Sequence, residues 1–86
     1  FEFMRTSIPA GVDAGSYPPH PAGSREFVAV ESGSLRLTIG SSVVDLHVGD
    51  SVAYDADVQH AFANFGEVNC VYYLAVTVPA RNGRAR

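Results

Sequence analysis

The residues best able to do chemistry in this 86-residue chain fall in two short stretches, His20–Glu26 and His60–Asn64. After the turn-forming Asp55-Ala56-Asp57, the residues His60, Phe62 and Asn64 share one face of a strand, because strand side chains alternate with period two. A histidine and an asparagine on the same face form one wall of a polar pocket. His20 and Glu26 offer a second wall. If the two walls meet, imidazole, amide and carboxylate groups line one space. A buried Glu26 then requires a compensating partner: a histidine, a metal or a cationic ligand.

Short strands must do the positioning. Glu26, Val28 and Val30 alternate on one face of a strand over Glu26 to Val30, and Leu35, Leu37 and Ile39 alternate with Arg36 and Thr38 on the next. Gly40-Ser41-Ser42 reads as a hairpin turn into Val43–Leu46, and Gly49-Asp50 opens a strand carrying Val52 and Tyr54. Cys70 to Val78 is the longest apolar run, and Val71-Tyr72-Tyr73 and Val76-Thr77-Val78 favour strand over helix. Phe1 to Arg5 alternates as a further strand, whereas Ile8–Ser16 is turn-rich and reads as irregular. Tyr17-Pro18-Pro19-His20-Pro21 excludes helix and central strand. His47 falls in a loop. No apolar pattern recurs at helical spacing, so the expected fold class is all-β, with about seven to nine strands in a sandwich or barrel.

Composition removes several function classes. The net charge is −3, all six basic residues are arginine, and Arg81, Arg84 and Arg86 lie at the end of the chain. So acidic a body is a poor binder of nucleic acid, which needs Lys and Arg to neutralise phosphates. No run approaches the ~20 apolar residues of a membrane helix, and no signal peptide is visible, which suits a cytoplasmic protein. Cys70 is the single cysteine, so neither a disulfide framework nor a thiolate metal cluster can form, and it reads as a buried small hydrophobe. No nucleophile elbow and no phosphate-cradling glycine loop is present. Length fits one domain over residues 1–80 with a frayed basic tail at 81–86. A chain that begins at Phe1 in mid-strand suggests a piece of a longer protein.

The spacing of Gly49, His60 and Asn64 resembles the second cupin motif, with Asp55 and Asp57 where that motif has a proline and a glycine. His20, Glu26 and Gly33 resemble the first, with Ala22 where a second histidine is usual. The resemblance covers roughly Pro9 to Pro79 and implies a small jelly-roll barrel, the double-stranded β-helix, with both motifs inside. It also implies a metal set of His20, Glu26 and His60 holding Fe, Mn, Ni or Zn, with an open coordination position. Ala22 removes a ligand and tips the reading toward a metal-free pocket or a weakly held divalent metal. In that case His20 simply hydrogen-bonds Glu26 or a backbone carbonyl.

The pocket set is then His20, Glu26, Val28, Tyr54, His60, Phe62, Asn64 and Tyr73. Asn64 serves equally well as a loop cap, and the aromatic residues equally well as core. The two tyrosines of the last strand face opposite sides, so one of them lines the pocket.

His20 through Leu35 and Gly49 through Ala61 are similar to the C-terminal cupin half of helix-turn-helix bacterial regulators of the XRE type. The resemblance implies a small-molecule sensor domain, with DNA bound only through an N-terminal domain that this chain lacks. It also implies a homodimer paired through an open edge strand, for which Phe1–Arg5 and the Leu35 strand are the candidates. A cationic or hydroxylated effector suits the acidic pocket. The alternative is a small metal-dependent oxygenase or isomerase using His20, Glu26 and His60; a structural or storage barrel fits the polar pocket less well. Ala22 and the lack of a further acid or base favour the non-enzymatic reading.

Overall fold

A computed structural model of the chain describes residues 2–79. Eight strands occur in order: β1 (Glu2–Ile8), β2 (Asp13–Tyr17), β3 (Arg25–Ser32), β4 (Ser34–Ile39), β5 (Ser42–His47), β6 (Ser51–Asp55), β7 (His60–Ala63) and β8 (Cys70–Thr77). They form two four-stranded sheets, β1-β8-β3-β6 and β2-β7-β4-β5, in which every pairing is antiparallel. The all-β expectation holds, and no helix among the described residues is long and apolar enough to cross a membrane. The basic tail expected at 81–86 lies outside the described residues.

Alternation builds the core. Along β3 the residues Glu26, Val28 and Val30 are buried while Arg25, Phe27 and Glu31 are exposed. On β4 Leu35 and Leu37 turn inward. Val28, Val30 and Tyr72 from one sheet join Leu35, Leu37, Leu46 and Phe62 from the other in a single apolar cluster, so the sheets pack face to face. Burying each of these side chains contributes about 1.5–3 kcal/mol.

Three segments depart from the sequence reading. β1 runs to Ile8, and part of the expected irregular stretch is β2, which pairs with β7 through a register shift between Asp13 and Gly15. Asp13-Ala14-Gly15-Ser16 has low strand propensity and no apolar alternation, so only its partner strand makes it a strand. His47 closes β5 instead of lying in a loop. The Leu35 strand, β4, is paired on both sides by β5 and β7, so it offers no open edge, whereas β1 does. The β3–β4 turn needs a glycine. Gly33 has φ +76°, and a Cβ there would collide with the Asn69 carbonyl.

Candidate functional site

Glu26 lies on β3 between two partner strands, opposite Tyr54 of β6 and Val76 of β8, and is only 2 % exposed. His60 opens β7, opposite Tyr17 of β2. His20 comes from the proline-rich link between β2 and β3. That link is held in place by backbone hydrogen bonds from His20 N to Ala56 O (2.9 Å) and from Ala56 N to Ser24 O (2.9 Å). The turn after β6, with Asp55 and Asp57 in place of proline and glycine, therefore clamps the His20 segment against the barrel.

These elements bring three of the expected residues together. His20 Nε2 is 3.0 Å from Glu26 Oε2, and His60 Nε2 is 3.2 Å from the same oxygen. The Tyr54 hydroxyl donates to the other oxygen, Oε1. His60 Nδ1 lies 2.9 Å from the Val58 carbonyl, which can only accept, so Nδ1 carries a proton there. In a neutral ring Nε2 then bears a lone pair. That lone pair and the Oε2 of an ionised Glu26 are two acceptors at close range, a contact that a cation between them or a proton would relieve. Burial, and then the bond to Glu26, push the Tyr54 phenol well above its ordinary value, which keeps it a donor.

The three side chains line a cavity of about 270 Å³ between the sheets. Phe62, Tyr72, Leu74, Val76 and Thr6 form its walls, with Tyr17, Met4 and Glu2 toward solvent. Tyr72, Phe62 and Tyr17 form a run of aromatic surfaces, with Phe62 and Tyr72 stacked at 5.6 Å and Tyr17 edge-on to Phe62 at 5.8 Å. Burial pushes the Tyr72 phenol up to about 12.

Other expected pocket residues lie elsewhere. Val28 is inward-facing but belongs to the apolar core. Tyr54 stands behind the carboxylate and bears on the pocket through it. Asn64 caps a loop: its amide donates to Ile8 O (3.0 Å) and Val68 O (2.8 Å), and its Oδ1 accepts from Gly66 N (2.9 Å). Tyr73 is a correction. It lies on the outer face, stacked on Phe3 at 5.7 Å and donating to Glu31 Oε1, and Tyr72 lines the cavity instead. The parity of β8 decides this, since buried Cys70 and Val76 fix the inward set as 70, 72, 74 and 76. That parity was the sequence signal for Tyr72, whereas Tyr17 gave none.

One imidazole nitrogen from each of His20 and His60 and one Glu26 oxygen lie within 4.8 Å of one another, a donor set that fits a divalent metal. Ala22, the missing histidine, is exposed. Cys70 is fully buried and its thiol is pushed up by burial, as expected of an unreactive core residue.

Comparison with known proteins agrees with the fold. The chain is 30 % identical over 79 residues to the HTH-type transcriptional regulator SutR of Escherichia coli (strain K12), covering 92 % of this chain and 44 % of that protein. It therefore spans less than half of the curated relative it matches. The Cupin_2 domain of an XRE family transcriptional regulator from Enterobacter cloacae superposes with a TM-score of 0.80 at 26 % identity, over 90 % of this chain and 82 % of that one. An HTH_3 family transcriptional regulator from Vibrio cholerae gives 0.82 at 18 % identity, over 90 % and 42 %. The cupin domain family matches residues 4–77. With its two sheets, its His20-Glu26-His60 cluster and this match, the chain belongs to the cupin family.

Proposed function

We propose that this cupin barrel is the small-molecule-sensing domain of a cytoplasmic transcriptional regulator whose DNA contacts come from another domain. The observation that carries the reading is the Glu26 carboxylate, buried and shared by two histidines in the lining of a largely apolar cavity. Few polar groups converging in an apolar pocket is the usual form of a small-ligand site. Relatives named as HTH-type regulators support the regulatory role, and the body's acidity supports DNA binding elsewhere.

Coupling follows from linkage. An effector that prefers one dimer geometry shifts the DNA-binding equilibrium by no more than its differential affinity for the two. The open edge of β1 is the strand that a second copy would extend. β1 also contributes Glu2, Met4 and Thr6 to the cavity, so occupancy and edge pairing act on the same strand.

A second reading is a metal-dependent enzyme, favoured by the three-donor cluster. His20, Glu26 and His60 would hold the ion, which supplies Lewis-acid or oxygen chemistry when bound. Tyr54 orients the carboxylate, and the aromatic walls exclude water from it.

A thermal-shift screen of small molecules against the purified domain tests the sensing reading. A ligand at about 100 times its Kd adds about 2.7 kcal/mol, which raises Tm by roughly 4–8 °C per kcal/mol in a domain of this size. Hits should lose their shift in His60→Ala and keep it in Tyr73→Phe, whose side chain lies outside. A broad library without hits, or hits indifferent to His60, contradicts the reading.

A further inference from the structure

We infer that the cavity takes a small organic cation, a primary ammonium carried on an apolar body, seated between Glu26 and His60. The inference rests on the sensing reading above and names the class of its ligand.

Charge is the first ground. The chain has no lysine, and every arginine among the described residues is committed to a carboxylate outside the cavity. Arg5 pairs with Glu31 at 2.9 Å, Arg25 with Asp55 at 2.6 Å, and Arg36 with Asp45 at 2.8 Å. Among the described residues, the charged side chains lining the cavity are Glu26 and Glu2, both acidic, beside two histidines. A carboxylate or phosphate ligand would meet repulsion there and find no guanidinium or ammonium among the described residues to hold it.

Hydrogen-bond chemistry is the second ground. Glu26 Oε2 faces His20 Nε2 at 3.0 Å and His60 Nε2 at 3.2 Å, and with Nδ1 donating to the Val58 carbonyl a neutral His60 ring presents Nε2 as a second acceptor beside the carboxylate. An ammonium has three N–H donors and satisfies both acceptors while neutralising the carboxylate. A hydroxyl donates one hydrogen and brings no charge to offset the carboxylate. A quaternary ammonium carries charge but no N–H.

The walls supply the third ground. Tyr17, Phe62 and Tyr72 line the cavity, and their aromatic rings suit a cation and the methylenes next to it. Leu74 and Val76 take the apolar remainder of the ligand.

Titration calorimetry on chelator-treated protein, with four matched probes, tests this: benzylamine, benzyl alcohol, benzoate and benzyltrimethylammonium. Benzylamine should bind at least about tenfold tighter than each of the others. Glu26→Gln, which keeps the shape of the side chain, should remove most of that preference, whereas Tyr73→Phe, whose side chain lies outside the cavity, should leave it unchanged. The wild-type comparison of the two cations stands even if the variant folds poorly. Equal or tighter binding of benzoate, the alcohol or the quaternary ion overturns the inference but leaves a ligand-binding cavity in place. Binding by none of the four overturns it as well, and the broader screen then decides the sensing reading separately.

Discussion

Tyr54 and Glu26 face one another across the β3–β6 pair, and the Tyr54 hydroxyl donates to Glu26 Oε1 inside the barrel. One carboxylate oxygen is thereby held by the phenol, and the other is left to the two histidines. Tyr54 thus fixes which oxygen the cavity presents.

Tyr54→Phe removes that donor and leaves Oε1 buried without a partner. The expected loss is about 1–3 kcal/mol in denaturant unfolding, with the fold kept. A stability within a few tenths of a kcal/mol of wild type would show that the bond does not orient the carboxylate.

Asn64→Ala separates a structural asparagine from a ligand-binding one. The side chain satisfies Ile8 O, Val68 O and Gly66 N, so its loss should cost about 1–3 kcal/mol. Ligand affinity, measured well below the new Tm, should be unchanged. A selective loss of binding at native stability would return Asn64 to the pocket.

Gly33→Ala tests the β3–β4 turn. The backbone has φ +76° and a Cβ would meet Asn69 O, so strain alone costs about 1–3 kcal/mol, with the collision added. Chemical denaturation reads the change directly, and a neutral result would mean that the turn adopts another conformation.

Acid stability should report the outer ion pairs. The Arg5 guanidinium, then the Tyr73 hydroxyl, hold the Glu31 carboxyl at about 2, below its ordinary 4.5, and Arg36 lowers Asp45 in the same way. A carboxylate lowered by folding contributes stability that is complete above pH 4.5 and is lost as pH falls from there toward 2. Both pairs are exposed, so added salt should shrink the effect. Glu31→Gln should flatten its share of the acid limb, and an unchanged pH profile would remove the pair from the account.

The strands that were legible in the sequence are those whose alternation points at a core. β3 and β4 carry buried residues at every second position, and β8 is rich in β-branched and aromatic residues. β2 was illegible because nothing in Asp13-Ala14-Gly15-Ser16 demands a strand until β7 lies alongside. His20, Glu26 and His60 were found through motif spacing, and the barrel brings them together. Tyr73 was misassigned because adjacent tyrosines look alike without the strand's parity. The role of Asn64 could not be read locally, since one carbonyl that it caps lies 56 residues away in sequence.

Metal content tests the central claim most directly: that the Glu26–His60 position is an organic-ligand site. Elemental analysis should be run on wild type and His60→Ala, each incubated with iron, manganese, nickel and zinc and then desalted. The account predicts well under one equivalent of any transition metal in both. A near-stoichiometric metal in wild type that disappears in His60→Ala would contradict it and bring the metal-dependent enzyme forward.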